Sequence, residues 1–178
     1  MRFQLIDAAK KEFFAASGPN QKWGADISYV WTREGWLYLA VVIDLIARRG
    51  VGWATSDRLH KELALSALRR AIAVRRPAAG LIHHADRGSQ YCCIDYQAEL
   101  RRHGALISMS GKANCFDNAM VETFFKTLKA ELVWRTVFHS RAETTMAIGR
   151  YIDGFYNPVR RHSAINFISP LQFERLAA

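Results

Sequence analysis

The stretch ADISYVWTREGWLYLAVVIDLIARRGVGWATS, from Ala25 to Ser56, decides the fold. It holds three runs rich in β-branched and aromatic residues, which are typical of strands: Ala25–Trp31, Gly35–Ile43 and Arg49–Ser56. The connections between these runs are short enough for hairpins. The stretch therefore predicts an antiparallel meander of three strands.

Downstream of Ser56 the pattern changes to alternating helices and strands. The predicted elements are a helix at Leu59–Arg76, a strand at Leu81–His84, a helix at Ile94–His103, a strand at Ala105–Met109, helices at Asp117–Val133 and Ser140–Tyr156, and a short helix after Pro170. Three antiparallel strands followed by this alternation predict an α/β fold with a five-stranded mixed sheet and helices on both faces. The element order is that of a ribonuclease-H-like fold.

The length of 178 residues suits one domain with a real core. We interpret residues 1–18 as an N-terminal arm or short helix (Asp7–Ala16), ended by the turn cluster Ser17–Asn20. Residues 19–135 are predicted to form the core. Residues 136–178 are predicted to be a helical extension of the same domain.

The composition restricts the functional class. The longest apolar stretch, Trp36–Ile43, is far shorter than the roughly 20 residues that a membrane helix needs, and the N-terminus has no signal-peptide pattern. We therefore expect no membrane partner and a cytoplasmic location. The net charge of +9 suits a nucleic-acid partner. Charge alone leaves a merely basic soluble protein equally open.

The cysteines offer no structural site. There are three, Cys92, Cys93 and Cys115, and none forms a C-x-x-C pair. An odd count with an adjacent pair argues against a disulfide framework, and the spacing argues against structural zinc.

Three carboxylates form the candidate catalytic site. Asp26 lies in the first strand, Asp86 just after the fourth, and Glu122 in the first turns of a helix. The first and fourth strands of a ribonuclease-H-like sheet are neighbours, so Asp26 and Asp86 should meet, with Glu122 above them. Three carboxylates suit two hard divalent cations, which stabilise the attacking and leaving oxygens of a phosphodiester. The alternative reading is a turn Asp, a strand-edge Asp and a surface Glu.

Helix phase strengthens the catalytic reading. Glu122, Lys126 and Lys129 share one face of their helix, beside an apolar stripe. This face could hold a metal ion and position DNA phosphates. A Glu–Lys surface pair, worth only about 0.2–0.5 kcal/mol, is the competing interpretation.

Spacing and longer motifs then point to a family. Asp86 and Glu122 have 35 residues between them, and Lys129 follows Glu122 by seven positions. This resembles the D,D(35)E signature of bacterial insertion-sequence transposases and retroviral integrases. Five segments resemble the second-frame product of the large two-frame insertion-sequence family: PNQKWGADISYV (Pro19–Val30), GWLYLAVVIDLIARRGVGW (Gly35–Trp53), LIHHADRGSQY (Leu81–Tyr91), SMSGKANCFDNAMVETFFKTLKAEL (Ser108–Leu132) and YNPVRRHSAINFISPLQFE (Tyr156–Glu174).

The resemblance implies a DDE transposase catalytic core that cleaves and joins DNA with Mg²⁺ or Mn²⁺, two ions per active site. It implies terminal inverted repeats and target DNA as partners, a homo-multimer on DNA, and a helix-turn-helix partner from an upstream reading frame. Only 18 residues precede Pro19, too few for the helix-turn-helix region that such proteins usually carry there. Ala85, Gly111, Ala113 and Asn166 also depart from the residues common in the family.

Further residues are candidates for DNA contact. Arg87 and Gln90 follow the second Asp, Asn118 precedes the Glu helix, and Arg160, Arg161 and His162 form a basic cluster near the C-terminus. Loop structure, helix capping and a solvated charged face are their respective alternatives.

Six more positions are assigned by weighing function against packing. His84 is two residues before Asp86, so strand alternation puts both on one face of the sheet, and His84 is expected to contact the carboxylates and support them. His83 is expected on the other face. Asp44, a rival carboxylate, is interpreted as structural. Three tryptophans in or beside strands are predicted core residues: Trp23, Trp36 and Trp53.

Two other functions compete with an active transposase core. A truncated, non-catalytic DNA-binding or multimerising remnant would regulate intact transposase. A nuclease of the same fold would hydrolyse strands without joining them.

Overall fold

A five-stranded mixed sheet forms the centre of the computed structural model, which describes residues 17–109 and 119–177. Its strands are β1 (Lys22–Thr32), β2 (Gly35–Asp44), β3 (Gly50–Ser56), β4 (Ile82–Ala85) and β5 (Leu106–Met109). The order across the sheet is β3-β2-β1-β4-β5; the first three strands are antiparallel, whereas β1, β4 and β5 are parallel. The predicted ribonuclease-H-like sheet, with β1 beside β4, is confirmed.

The two edges of β1 are covered to different lengths. On one side β1 pairs with β2 along ten residues, from Trp23 to the tight turn at Gly35, whose φ of +106° suits glycine. On the other side β4 covers β1 only from Lys22 to Ala25. From Asp26 onward, no strand in the described part of the chain pairs with that edge. Asp26 therefore stands where β1 and β4 separate.

One face of the sheet is covered by α1 (Lys61–Arg75) and by α3 (Ile94–Arg102). α1 approaches β3 closely at Gly52, where a Cβ would lie 2.3 Å from the Ala67 carbonyl oxygen. A one-turn helix, α2 (Ser89–Cys92), follows Asp86, and its Tyr91 packs in the same core.

The other face is covered by α4 (Ala119–Glu131) and by α5 (Arg141–Gly149), which continues as a π-helix through Arg150–Tyr156. Ser140 begins α5, since its hydroxyl accepts a hydrogen bond from the Glu143 N–H. α4 packs on β1 at Gly24, where a Cβ would lie 2.7 Å from Val121 Cγ2. This contact lies two residues before Asp26 and one before Glu122.

The C-terminal segment packs on the same sheet. A final helix, α6 (Pro170–Ala177), is tied to α1 by Glu174, which accepts hydrogen bonds from Arg75. Asn157 bonds to both backbone groups of Gly50. The division at residue 135 and the Asp7–Ala16 helix remain predictions, and that helix lies outside the described residues. Within the ranges described, no helix combines the length and the apolar character that crossing a membrane requires.

Candidate active site

Asp26 occupies the point where β1 loses its neighbour β4. It lies on the face that α4 covers, two residues after Gly24. Its Oδ1 accepts a hydrogen bond of 2.7 Å from the Ile27 N–H. Partial burial raises the pKa of Asp26 to about 6; the Ile27 bond opposes this rise, and the charges of Asp86 and Glu122 add to it. Asp86 and Glu122 thus lie close enough to Asp26 for their charges to act on it.

Asp86 follows β4 and is exposed. Its Oδ1 accepts a 2.9 Å hydrogen bond from the Gly88 N–H. A Cβ on Gly88 would lie 2.9 Å from the same oxygen, too close for a real Cβ contact. Glycine at 88 therefore lets the backbone hold the Asp86 carboxylate without a clash.

Glu122 enters from the first turn of α4 and is half-buried. Its neighbour Val121 is buried against Gly24 of β1. A larger residue at 24 would push the start of α4 away from the sheet. Gly24 and Gly88 thus keep Glu122 and Asp86 near Asp26. In the sequence, these glycines could be found by their positions, since Gly24 is two residues before Asp26 and Gly88 is two residues after Asp86.

These carboxylates suit a divalent cation in their chemistry. The charges of Asp86 and Glu122 add to the rise that burial causes in the pKa of Asp26. A bound cation would offset this repulsion between carboxylates. Within residues 17–109 and 119–177, however, no group of three His, Cys, Asp or Glu side chains is arranged to hold a metal ion. The three carboxylates are near one another but are not grouped around one point, so holding a cation together would require their side chains to come closer.

Tyr91 is a site residue that the sequence reasoning passed over. It is 3% exposed, and its hydroxyl finds no hydrogen-bond partner among the described residues. Burial, Tyr96 and the charges of Asp26 and Asp86 raise its pKa well above the usual value. Its hydroxyl therefore stays protonated. It lies close enough to both aspartates for their charges to raise its pKa.

The predicted DNA-contact residues of α4 have different surroundings. Lys126 is exposed, whereas Lys129 is half-buried and holds its ammonium 5.1 Å from the Tyr29 ring centre. Asn118 lies outside the described residues. Near Asp86, Arg87 is exposed and Gln90 is half-buried.

The C-terminal basic cluster is partly engaged in packing. Arg160 Nη2 lies 2.8 Å from Glu131 Oε1, and the Tyr151 hydroxyl donates to Glu131 Oε2. Burial, followed by the charges of Arg160 and Arg48, lowers the pKa of His162 to about 4. Arg160 thus ties the C-terminal segment to α4, whereas Arg161 is exposed.

The two histidines before Asp86 are buried. His83 accepts or donates a 3.0 Å hydrogen bond with the Tyr96 hydroxyl, and burial lowers its pKa to about 3. His84 Nδ1 lies 2.9 Å from Ser108 Oγ of β5. His84 is therefore held by the neighbouring strand, and support of the carboxylates stays a prediction.

The three tryptophans that were predicted to lie in the core differ in burial. Trp23 is fully buried, as predicted. The core assignment of Trp36 is wrong, because 44% of this residue is exposed near the tip of the β1–β2 hairpin. Trp53 is only partly buried and donates its indole N–H to Asp153.

The order and directions of the strands define the class of protein: an integrase-type core on a ribonuclease-H-like sheet. Two family models described as integrase core domain match residues 16–115 and 122–176. The chain therefore belongs to the integrase core domain family.

Relatives and solved structures agree with this assignment. The chain is 51% identical over 161 residues to Transposase InsF for insertion sequence IS3A of Escherichia coli (strain K12), covering 90% of this chain and 56% of that protein. It is 46% identical over 164 residues to the transposase for insertion sequence element IS904 of Lactococcus lactis subsp. lactis (strain IL1403), covering 92% and 65%. The chain thus spans little more than half of the first relative.

The structural likeness is to retroviral proteins. The simian T-cell lymphotropic virus intasome in complex with PP2A regulatory subunit B56 gamma gives a TM-score of 0.71 at 19% identity, over 89% of this chain and 55% of that one. The HTLV-2 integrase catalytic core domain in complex with magnesium (trimeric form) gives 0.65 at 14% identity, over 89% and 99%. The predicted resemblance and fold are confirmed.

Proposed function

We propose that this chain is the catalytic domain of a DDE-type DNA transposase, a polynucleotidyl transferase that cleaves and joins DNA at the ends of an insertion sequence. The observation that carries the proposal is that Asp86, at the end of β4, and Glu122, at the start of α4, lie close enough to Asp26 of β1 for their charges to act on its carboxylate. Residues so distant in sequence are brought near one another by the sheet order and by the packing of α4 on β1. The likeness to transposases along 90% of the chain supports the same reaction.

Asp26, Asp86 and Glu122 would hold Mg²⁺ or Mn²⁺, with two ions per active site. When bound, these ions supply charge neutralisation at the attacking and leaving oxygens of the phosphodiester. The chain's own part is to gather oxygen ligands at one end of the sheet. Gly88 orients Asp86 through its N–H, and Gly24 lets α4 bring Glu122 close to β1.

Basic side chains around the carboxylates would position the DNA backbone. Lys126 is exposed one turn beyond Glu122 on α4, and Arg87 is exposed immediately after Asp86. Arg161 is exposed in the C-terminal segment, and Gln90 and Asn118 are further proposed contacts. A net charge of +9 favours the approach of DNA to this surface.

The partners follow from the same proposal. They are the terminal inverted repeats, target DNA and further copies of the chain assembled on DNA. A helix-turn-helix region, encoded upstream in another frame, would read the repeats. The protein would then act in the bacterial cytoplasm, on the nucleoid.

Purified protein with Mg²⁺ and a labelled insertion-sequence end tests this function. We expect nicked ends and joined products from the wild type, and neither from Asp86→Asn, with DNA binding largely kept. Exposed Asp57 gives the matched control, since Asp57→Asn changes the same groups away from the site. Joined products from Asp86→Asn would overturn the assignment. Hydrolysed strands without joining would indicate a nuclease, and binding without cleavage a regulatory remnant.

A further inference from the structure

We propose that a groove beside the carboxylates binds unpaired DNA bases by stacking them on aromatic side chains. This inference rests on the proposed function and names a part of its substrate: a DNA strand whose end is unpaired. The groove, here called the aromatic groove, has a volume of about 540 Å³. Its principal lining residues are Tyr29, Trp31, Arg33, Trp36, Lys129 and Trp134.

The aromatic groove exposes large rings that a folded domain normally buries. Trp31 is 59% exposed, Trp134 72% and Tyr29 54%. A Trp or Tyr ring removes about 150–250 Å² from water when covered, so a contiguous set of open rings marks a binding surface. The openness has a structural cause, because β4 pairs with β1 only as far as Ala25 and leaves the hairpin tip uncovered on that side.

The rings have fixed orientations. Trp31 and Trp36 are directly opposite each other in the hairpin, with centres 4.8 Å apart and planes at 74°. Tyr29 meets Trp36 at 5.0 Å and 83°. Since these rings meet edge to face, they hold one another in place without forming a closed parallel stack. A rigid ring with open surface is what a flat base requires.

The charges of the aromatic groove favour a nucleic acid. Its described lining includes the cations Arg33 and Lys129 and no carboxylate. The Lys129 ammonium lies over the Tyr29 ring, where it could meet the phosphate of a base stacked nearby. Glu34, the adjacent acidic residue, accepts a hydrogen bond from the Arg141 N–H.

Lys129 relates the aromatic groove to the carboxylates, because it lines the groove and belongs to the same helix as Glu122. Lys129 follows Glu122 by seven residues on one face of α4, which is roughly 10 Å along the helix axis at 1.5 Å per residue. A few nucleotides of an unpaired strand are long enough to cover that span. A strand whose phosphate lies at the carboxylates would therefore bring bases near its end to the rings.

Charge and geometry select unpaired bases over other occupants. Bases inside a duplex are stacked on one another and offer no free face to a tryptophan. A second copy docking the same surface on itself would bring Arg33 and Lys129 against their like-charged equivalents, without a carboxylate between them. Single-stranded DNA supplies both the flat apolar faces and the negative charge.

The test measures single-stranded and duplex binding separately. A short oligonucleotide carrying 2-aminopurine is titrated with wild type, Trp36→Leu and Trp36→Tyr, and a duplex of equal length is titrated in parallel. We expect Trp36→Leu to weaken single-strand binding about 5- to 100-fold. Duplex affinity should change less than about twofold, and the quenching of 2-aminopurine should be lost. Trp36→Tyr keeps an aromatic face and should retain most of the affinity and quenching.

Phe155→Leu, which truncates an exposed ring outside the groove, is the matched control, and thermal unfolding verifies that each variant folds. Unchanged single-strand binding in folded Trp36→Leu, or an equal loss on duplex, would overturn the proposal. So would a changed oligomeric state without changed single-strand binding, because it would make the groove a contact between copies. Failure of the wild type to cleave DNA would refute the proposed function, whereas the binding titration would still test the aromatic groove on its own.

Discussion

Two aspartates in the same hairpin show how differently a fold can treat one side chain. Asp44, at the end of β2, is fully buried; its carboxylate accepts hydrogen bonds from three backbone N–H groups and lies 4.0 Å from Arg75. Asp26, in the middle of β1, has one backbone N–H and faces two other carboxylates. Burial raises the pKa of both. The neighbours, and not burial, distinguish the structural carboxylate from the proposed catalytic one.

The largest expected effect separates the two residues by activity. Asp26→Asn should lower DNA cleavage by roughly a thousand-fold, since charge stabilisation at a metal site is worth several kcal/mol. Asp44→Asn should leave the activity of the folded fraction within about threefold. It should lower the free energy of unfolding by about 1–3 kcal/mol, because it replaces an oxygen that accepts buried N–H groups. Cleavage assays and urea unfolding measure the two effects, and equal activity loss in both variants would remove the distinction.

The pH dependence of stability tests the raised pKa of Asp26. A folded pKa of about 6 against an ordinary 3.8 means that the folded state binds more protons between these values. Stability contributed by Asp26 is therefore full at low pH and falls as pH rises from about 4 to about 6, by on the order of 2 kcal/mol. Unfolding in a metal chelator should show this slope in wild type and a smaller one in Asp26→Asn. An unchanged slope would show that Asp26 is not the group responsible.

Two glycines extend the comparison to the backbone. Gly24→Ala places a Cβ against Val121, so we expect a loss of about 1–3 kcal/mol in stability and a further loss of activity as Glu122 shifts. Gly52→Ala crowds Ala67 on the other face and should cost similar stability while sparing the activity of the folded fraction. Chemical unfolding and cleavage rates distinguish them. Full activity in folded Gly24→Ala would show that this packing does not position Glu122.

The smallest effect concerns two tyrosines, Tyr91 and Tyr96, whose rings meet edge to face. Tyr96 shares a hydrogen bond with His83, so Tyr96→Phe should cost about 1 kcal/mol. Tyr91 has no partner for its hydroxyl in the described part of the chain, so Tyr91→Phe should be neutral or slightly stabilising. Thermal unfolding of both variants measures the difference. A clear loss in Tyr91→Phe would indicate that its hydroxyl is bonded in solution.

The sheet was predictable because hydrophobic runs and short connections determine a meander, and the β-α-β alternation then limits the order. The closeness of Asp26 and Asp86 was predictable because that order brings β1 beside β4, whereas the catalytic role of the carboxylates stays a prediction. The exposure of Trp36 was not, since the sequence does not reveal that β4 pairs only with the first residues of β1 and leaves the hairpin tip open. The pairing of Arg160 with Glu131 joins residues 29 apart through tertiary packing, which no local pattern indicates.

Metal-linked stability tests the contrast between the two aspartates most directly. Mg²⁺ is added to wild type, Asp26→Asn and Asp44→Asn, and thermal unfolding is followed. At 100 times the dissociation constant, bound Mg²⁺ should stabilise wild type by about 2.7 kcal/mol. Asp44→Asn should start lower and keep that gain, whereas Asp26→Asn should lose most of it. An equal Mg²⁺ gain in Asp26→Asn and wild type would contradict a cation site built on Asp26.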